Sequence, residues 1–477
     1  MSERFDLRLS GGRLLLPGVE ELTEADVLIR DGTIAGLCER GAAADAAEDV
    51  SVHGLAVLPG IIDAHVHLGQ DITVPKTPDD ARRETEAAAA GGVCTLIAYL
   101  MTPEPYHEVL DDAVAVMEAD GLIDFGFHFC IVTRDQLAAL PAYIGDLGVS
   151  SFKFFMNFRG DEGKYLGLPG NDDGFLFDLL SASAAGGGMV DPHGENIEIV
   201  WNLRAQPIPE GLSPLAVWNH IRPDFVESDA QQRAAFLASV TGASLYAVHV
   251  TNAQTLDVLT RQRERYPNIF LETCPHYLTH DIESELGPIA KVNPPLRTPG
   301  DREALWQAVA DGRINVIGSD HVPRHRSAKE ADIWKASAGF PGMETLLPVL
   351  LSEGHHRRGI SLGRLIDTVT RAPARVMGLW PRKGAIAIGA DADFAIVDLD
   401  ASWTVSAAGQ HSGAEYTIYE GWELTGAVQH TLLRGKFVVR DGEVVGRGGG
   451  RFIPRHRSGA AALAETCRIT AEASVSE

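Results

Sequence analysis

Short apolar segments alternate with stretches of helical periodicity between residues 59 and 382. The apolar segments are four or five residues long, as expected for strands that are buried on both faces. They lie at 95–98, 125–129, 151–155, 245–249, 269–272 and 315–318. The helical stretches lie at 80–90, 228–240 and 253–266. Over about 320 residues this alternation predicts a (β/α)8 barrel, in which functional groups lie at the carboxyl ends of the strands.

A doubly wound parallel sheet is the alternative interpretation of the same alternation. That architecture binds nucleotides through a glycine-rich loop between a strand and a helix. The chain contains neither a Gly-x-Gly-x-x-Gly loop nor a P-loop. The barrel is therefore the favoured fold.

Two hairpins of the same design lie at opposite ends of the chain. Asp31-Gly32 joins two apolar segments within residues 26–37, and Asp441-Gly442 does so within residues 436–445. Asp-Gly is favoured in the type I′ turn that connects two antiparallel strands. The repetition predicts that both chain ends meet in one small β domain. Two separate β domains are the alternative.

These patterns divide the chain into a central barrel, a β domain made of both chain ends, and a tail. The predicted bounds are 1–58 and 383–453 for the β domain, 59–382 for the barrel and 454–477 for the tail. Because the tail is rich in small and polar residues, we expect it to be exposed or to form an oligomer contact.

The composition restricts the partners of the protein. The chain of 477 residues has a net charge of −24 at pH 7, which argues against nucleic acids and anionic membranes because both require a basic surface. No run of 18 apolar residues occurs, and the first residues do not resemble a signal peptide. The five cysteines have no Cys-x-x-Cys spacing, which is typical of reduced thiols. These features predict a soluble cytoplasmic protein.

Two histidines follow a buried strand at the start of the predicted barrel. The segment 55–62 is apolar, and His65 and His67 come directly after it. Because residues i and i+2 of a strand share a face, both imidazoles point to the same side. Two neutral imidazoles at a strand end supply half of a metal site. Chance polar residues are the alternative interpretation of this pair alone.

Lys153 lies inside an apolar strand, between aromatic residues. Burying a lysine is costly unless it is neutral or paired. A lysine that reaches solvent from a strand end is the ordinary interpretation. In the functional alternative, the neutral amine takes up carbon dioxide and becomes a carbamate, an anion with two oxygens that can bridge two metal ions.

Three more potential ligands follow predicted strands: His193, His249 and Asp320. Each one alone is more often a hydrogen-bonded polar residue at a strand end. Together with His65, His67 and Lys153 they are hard to assign to chance, because all fall in register with the barrel. The set supplies four imidazoles, one carbamate and one carboxylate, enough for two adjacent divalent ions with an open position for water.

The chain resembles the dihydropyrimidinase and hydantoinase family of cyclic amidohydrolases through motifs that run almost from end to end. In the barrel the matching motifs are PGIIDAHVH at 59–67, SFKFFM at 151–156, HGEN at 193–196, RP at 222–223 with Glu227, AVHV at 247–250, ETCP at 272–275, NPPLR at 293–297 and SDH at 319–321. In the β domain they are EYTIYEG at 415–421 and GGRFIP at 449–454. The resemblance implies a metal-bearing barrel with a composite β-sandwich.

The resemblance also implies a role for each ligand. His65, His67 and Asp320 would hold one metal ion and His193 and His249 the other, with Lys153 as the bridging N6-carboxylysine. Asp320 would also be the general base and then the general acid. The implied metal is zinc, with manganese as the alternative. The implied assembly is a homotetramer, with a homodimer as the alternative.

The chain departs from the family at positions that contact the substrate there. Phe158 stands where the family has a tyrosine that donates a hydrogen bond, and losing such a donor can cost about 3 kcal/mol of transition-state stabilisation. Pro341 stands where relatives often have asparagine and lacks an N–H, while Asn293 occupies the usual backbone-contact position. Gly69 replaces the arginine that dihydroorotases use, which argues against dihydroorotate. His276 resembles the allantoinase branch, but we expect a supporting role for His276, His280 and His321.

The sequence therefore predicts an enzyme that opens a cyclic amide or ureide to an N-carbamoyl amino acid. A hydroxide bridging the two metals would attack the ring carbonyl, and Asp320 would transfer the proton. Cyclic imides and allantoin are alternative substrates. A non-catalytic scaffold of the same fold and a mononuclear deaminase are alternatives of other classes.

Overall fold

The computed structural model of the chain describes residues 4–69, 78–165, 168 and 170–475. Seventeen strands occur in these ranges: β1 Phe5–Leu14, β2 Thr23–Arg30, β3 Thr33–Cys38, β4 Ala46–Ser51, β5 Ala56–Pro59, β6 Ile61–Val66, β7 Val93–Leu100, β8 Asp124–Cys130, β9 Ser151–Phe155, β10 Met189–His193, β11 Ser244–Ala247, β12 Ile269–Thr273, β13 Val316–Ile317, β14 Phe394–Thr404, β15 Glu423–Leu433, β16 Lys436–Arg440 and β17 Glu443–Val444.

The same ranges contain sixteen α-helices: α1 Pro78–Ala90, α2 Tyr106–Asp120, α3 Arg134–Ala138, α4 Leu140–Gly145, α5 Gly160–Tyr165, α6 Asp173–Gly186, α7 Ile197–Arg204, α8 Pro214–His220, α9 Asp224–Thr241, α10 Ala253–Arg265, α11 Pro275–Thr279, α12 Pro299–Ala310, α13 Leu346–Val349, α14 Leu362–Asp367, α15 Arg371–Val376 and α16 Gly459–Val475. Gly287–Ala290, Arg326–Ala328 and Ala407–Gly409 form 3-10 turns, and Leu350–His356 forms a π-helix. No helix in the described ranges combines the length and the apolar character needed to cross a bilayer.

Strands β6 to β13 form one parallel barrel in sequence order. A bridge between Val66 and His321 links the first strand to the segment that follows the last one. Every residue of these eight strands is buried, because helices cover one face and packed side chains fill the other. The predicted barrel is confirmed. Two strands end earlier than predicted: β11 stops at Ala247 and β13 at Ile317, because the chain turns into the left-handed conformations of His249 (φ 40°) and Asp320 (φ 48°).

Both chain ends contribute to one nine-stranded sheet. Its order is β17-β16-β15-β14-β5-β1-β2-β3, with β4 beside β1, and β14 pairs with β5 antiparallel. The single small β domain is therefore confirmed, and the alternative of two separate domains is wrong. Both predicted Asp-Gly turns have positive φ at both positions (51° and 76°, then 53° and 79°), as a type I′ turn requires.

A buried ion cluster joins this sheet to the amino end of the barrel. The ammonium of Lys383 lies 2.6 Å from a carboxylate oxygen of Asp124, 2.5 Å from Asp393 and 2.9 Å from Asp391. Arg434 also pairs with Asp124. Since Asp124 begins β8 and Asp393 precedes β14, the cluster links the two structural units by charge pairs that are shielded from solvent.

The expectation of an exposed tail over 454–477 is wrong for the start of that segment. Arg455 is 1% exposed, and its guanidinium donates to the Phe127 carbonyl and the Ser151 hydroxyl. Ser458 is also buried, and its hydroxyl donates to the Ser150 carbonyl. The segment then continues as α16 against α15 and β11. The small and polar residues at the start of this segment therefore pack closely against the barrel.

Candidate metal centre

All six predicted metal ligands lie at the carboxyl end of the barrel. They line one cavity of about 480 Å³, and they are His65, His67, Lys153, His193, His249 and Asp320. Three of them belong to strands β6, β9 and β10, and the other three follow β6, β11 and β13 within three residues. Parallel strands end at the same rim, so residues far apart in sequence meet there.

One group of donors consists of His65, His67 and Asp320. A carboxylate oxygen of Asp320 lies 3.1 Å from Nε2 of His65 and 3.5 Å from Nε2 of His67. One donor atom from each residue lies within 4.8 Å of the others, and all three residues are buried. This is the arrangement that one divalent ion requires of three protein ligands.

The second group of donors consists of His193 and His249. Nδ1 of His193 lies 3.0 Å from Nε2 of His249, and the two ring centroids are 4.6 Å apart. The ring of His65 lies 5.5 Å from that of His249, so the two groups are neighbours. The site therefore offers donors for two adjacent ions.

Lys153 is buried and has no acidic partner within ion-pair distance in the described part of the chain. Its ammonium nitrogen lies 4.5 Å from the ring centroid of Tyr99. Burial lowers the pKa of Lys153 below its usual value, although Asp320 and Asp191 oppose the shift. A neutral amine is the form that can add to carbon dioxide.

Two carboxylates orient the imidazoles from behind. Glu272 lies 2.6 Å from Nδ1 of His65, and it also accepts hydrogen bonds from the His249 amide (3.0 Å) and the Tyr246 hydroxyl (2.7 Å). Glu195 lies 2.8 Å from Nε2 of His193. Such carboxylates fix the ring orientation and leave the other imidazole nitrogen for a metal.

Glu195 and Glu272 lie within the HGEN and ETCP motifs, but their role in orienting the histidines was not predicted from the sequence. Glu195 carried a signal, since it lies two residues after His193. Glu272 carried a weaker one, since it lies at the end of a buried strand. Its partner His65 lies 207 positions away, which no local pattern reveals.

Electrostatics in the site favour neutral imidazoles at three of the four positions. Burial lowers the pKa of His67 to about 4, and it lowers the pKa values of His193 and His249 as well. For His65, burial is outweighed by the carboxylates of Glu272 and Asp320, which raise its pKa to about 9. A cation bound beside Asp320 would replace the proton that His65 holds there.

The residues present fit a pair of divalent cations. Within the described ranges, the buried imidazole nitrogens without a hydrogen-bond partner include three of the ligand set: Nε2 of His65, which lies 3.1 Å from an Asp320 oxygen, Nδ1 of His67 and Nδ1 of His249. Buried polar atoms without partners are rare and costly, so they indicate a ligand. The nitrogen-rich donor set suits zinc and other borderline divalent ions.

The three predicted substrate contacts have different positions. Phe158 lines the cavity and stacks on Phe155, with ring centroids 4.5 Å apart. Asn293 lines it too, and its side-chain oxygen accepts a hydrogen bond from the Trp218 indole at 3.0 Å. Pro341 does not line it but borders a separate small cleft beside His321. The structure thus brings Phe158 and Asn293 to the site but not Pro341.

The histidines expected to have supporting roles lie outside the ligand set. His321 pairs with Glu84 at 2.8 Å through Nε2, and its Nδ1 accepts from the Gly342 amide at 3.2 Å. His276 packs edge-on against Phe340, and His280 packs near Trp422. These contacts tie loops together at the barrel rim.

The outer part of the cavity contains residues to which the sequence assigned no role, although Arg222 lies in the RP motif. They are chiefly cationic or aromatic: Arg204, Trp218, Arg222, Lys291, Arg324 and Trp334. No spacing could reveal them, because they come from separate helices and loops that follow different strands. They surround the space in front of the six metal-type ligands.

The chain is similar to known proteins over nearly its whole length. A sequence model of the amidohydrolase family matches residues 252–438. The D-hydantoinase of Geobacillus stearothermophilus is 35% identical over 454 residues, covering 92% of this chain and 95% of that protein. The L-hydantoinase of Paenarthrobacter aurescens is 31% identical over 463 residues, covering 94% and 98%. The dihydropyrimidinase structure from Brevibacillus agri NCHU1002 has a TM-score of 0.86 at 31% identity, covering 95% of this chain and 99% of that one.

Proposed function

The chain belongs to the hydantoinase and dihydropyrimidinase family of cyclic amidohydrolases, and we propose that it is a two-metal hydrolase that opens a cyclic amide or ureide. The scissile bond is a ring C–N bond, and the product of a hydantoin or dihydropyrimidine is an N-carbamoyl amino acid. The convergence of four imidazoles, Lys153 and Asp320 at one end of the barrel supports this function most strongly.

The proposed ligands divide according to their distances. His65, His67 and Asp320 would hold one ion, His193 and His249 the other, and carboxylated Lys153 would contact both. We propose zinc because imidazole donors predominate, with manganese as the alternative. When bound, the two ions lower the pKa of a water molecule towards about 7 and polarise the ring carbonyl.

Asp320 moves the proton in this proposal. Its carboxylate accepts the proton of the attacking water and donates it to the ring nitrogen, which cannot leave as an amide anion. Burial alone would raise the pKa of Asp320, but His65 and His67 outweigh it and hold the pKa well below its usual value. Asp320 is therefore ionised and able to accept a proton at neutral pH.

Phe158 and Asn293 would line the part of the cavity that binds the substrate ring. Phe158 offers an apolar face and no hydrogen-bond donor, so another group must stabilise the oxygen that becomes negative. The side-chain amide of Asn293 is engaged by Trp218. Asn293 would therefore contact the substrate ring through its backbone groups.

Other readings receive less support from the molecule. A non-catalytic scaffold would not need six metal-type side chains around one cavity, and a mononuclear deaminase would not need Lys153. Cyclic imides and allantoin stay alternative substrates. The homotetramer and the cytoplasmic location stay predictions.

Ring opening by metal-loaded protein tests the function directly. The panel contains dihydrouracil, hydantoin, 5-substituted hydantoins, succinimide, allantoin and dihydroorotate, and each reaction is followed by loss of the ring chromophore. We expect turnover of a hydantoin or dihydropyrimidine, loss of turnover in Asp320→Asn, and unchanged turnover in Asp257→Asn, which alters an exposed carboxylate on α10. No turnover of any of these substrates, by protein that contains two metal ions per chain, would contradict the proposal.

A further inference from the structure

The outer half of the cavity is lined by an excess of positive charge. Arg204, Arg222, Lys291 and Arg324 line it, whereas Glu162 is the one carboxylate of its described lining besides the proposed ligand Asp320. Glu162 also lies 3.5 Å from Arg204 and accepts from the Trp201 indole at 2.8 Å. Glu162 therefore cannot neutralise the remaining cations.

Lys291 is a buried cation of this outer lining. It is 5% exposed, and its ammonium nitrogen lies 4.0 Å from the ring centroid of Trp218 and 3.2 Å from the Trp334 carbonyl oxygen. In the described part of the chain, no carboxylate lies within ion-pair distance of it, and Asp332, which acts on its charge from farther away, pairs with Lys335 at 3.8 Å. Burying a cation is costly unless an anion accompanies it, so this ammonium is suited to an anion that comes with a ligand.

Arg222 provides a second, independent observation. It is buried, its carbon Cζ lies 4.9 Å from the centroid of the same Trp218 ring, and one nitrogen donates to Glu195 at 2.9 Å. Its Nε is buried and has no partner in the described ranges. A donor left without a partner beside a cavity indicates that a ligand acceptor belongs there.

The two tryptophans complete a walled site. Their rings meet edge to face at 6.3 Å, and Arg204 lies 5.5 Å from the Trp334 ring. Burial, with the neighbouring cations Arg222 and Arg204, lowers the pKa of Lys291 to about 8, although Asp332 opposes the shift. The cavity without a ligand is thus electrostatically unfavourable to its own lysine, and an anion would relieve this repulsion.

We propose that Arg222, Lys291, Trp218 and Trp334, here called the cationic box, bind a carboxylate on the substituent of the substrate ring. The preferred substrates would be cyclic ureides or amides that carry an acidic side chain. A monoanion matches the charge of the Lys291 ammonium, which is buried without an acidic partner in the described part of the chain. The inference rests on the proposed function, since it names the substrate class of the same site.

A matched pair of hydantoins isolates this contact. One carries a 2-carboxyethyl group at C5 and the other the isosteric 2-carbamoylethyl group, so that the ring and the carboxylate created by hydrolysis are common to both. The wild-type protein should prefer the acid by at least about tenfold in kcat/KM, since a charged hydrogen-bonded pair is worth about ten- to hundredfold. Lys291→Met should remove most of this preference through the KM of the acid, and Lys291→Arg should restore much of it.

The control variant is Lys436→Met, which removes an exposed lysine of β16 and should leave the preference unchanged. Equal or greater kcat/KM for the carbamoylethyl compound in the wild type would overturn the inference. So would an equal loss on both substrates in Lys291→Met, because that is the signature of a lysine that merely supports the tryptophan wall.

Calorimetric titration separates this inference from the proposed function. The ligands are the two ring-opened compounds, N-carbamoylglutamate and N-carbamoylglutamine, and the protein is metal-loaded. If no ring is opened but the glutamate compound binds at least tenfold more tightly, and Lys291→Met abolishes the difference, the carboxylate site stands while the hydrolase assignment falls. Equal affinity for both compounds overturns the carboxylate site whatever the turnover.

Discussion

The two ends of the barrel each bury a lysine, and the two lysines have opposite surroundings. At the amino end, Lys383 lies within 2.9 Å of three carboxylates, and its pKa is raised because these carboxylates outweigh burial. At the carboxyl end, Lys153 lies beside the rings of Tyr99 and Phe155 without a carboxylate at ion-pair distance in the described ranges, and burial lowers its pKa. Both side chains are about equally hidden from solvent.

The difference shows that burial alone does not identify a functional lysine. Where the protein supplies counter-ions, a buried ammonium links structural units and cannot react, because its lone pair holds a proton. Where the protein withholds them, burial lowers the pKa of the amine and makes its neutral, nucleophilic form easier to reach. A carboxylated Lys153 would become an anion among imidazoles, which is what a pair of cations needs.

Removing the reactive lysine should have the largest effect. In Lys153→Met we expect kcat/KM to fall at least about a thousandfold, because the ions lose the ligand proposed to join them. The metal-free variant should unfold at the same temperature as metal-free wild type or higher, since a buried unpaired amine is replaced by an apolar chain. Kinetics, metal analysis and thermal melts measure these effects. Two bound ions and near-normal turnover in this variant would contradict the role of Lys153.

Removing Lys383 should have the opposite pattern of effects, a loss of stability without a loss of turnover. Lys383→Met leaves Asp124, Asp391 and Asp393 without their shared cation, and losing one partner of a buried pair costs about 3–5 kcal/mol. We expect the free energy of unfolding to fall by that amount, measured with urea, while turnover per folded molecule stays normal. Lys436→Met is the exposed control and should change neither quantity. Lost turnover at unchanged stability would show that the two lysines are not distinct in this way.

Loss of an orienting carboxylate should have a smaller effect. Glu272→Gln keeps the shape of the side chain but weakens its hold on His65, and such changes usually cost about 10- to 100-fold in metal affinity. Competition with a chelator measures the affinity, and Glu264→Gln on the exposed face of α10 is the control. Unchanged affinity would mean that Glu272 holds the loop and does not tune the site.

We expect the smallest effect from acid, which should lower the stability contributed by the ion cluster around Lys383. Burial raises the pKa of Asp124, but Lys383 and Arg434 outweigh it and hold the pKa below 3.8. Its contribution to stability is therefore present above pH 3.8 and is lost as the pH falls through its lower folded value. Asp393 acts in the other direction, because burial raises its pKa despite Lys383. Between pH 6 and pH 3, the melting temperature of the wild type should fall more steeply with decreasing pH than that of Lys383→Met. Equal slopes of melting temperature against pH would refute this.

The sequence predicted those parts of the molecule that local patterns control. Period and turn chemistry indicated the barrel and both type I′ hairpins, and the positions along the strands indicated the six candidate ligands, which line one cavity. It could not reveal contacts between distant segments, such as Glu272 with His65 or Lys291 with Trp218. Pro341 was predicted to contact the substrate because it stands where relatives often have asparagine, but it lines a separate cleft beside His321. Arg455 looked like part of a polar tail, although the barrel buries it.

The 13C NMR spectrum of metal-loaded protein equilibrated with 13C-bicarbonate tests the central claim most directly. We expect one carbamate carbon signal in the wild type, the same signal in Lys383→Met, and none in Lys153→Met. That pattern would show that the unpaired lysine, and not the paired one, takes up carbon dioxide. An active wild-type protein with two ions and no carbamate signal, or a signal that persists in Lys153→Met, would contradict the account.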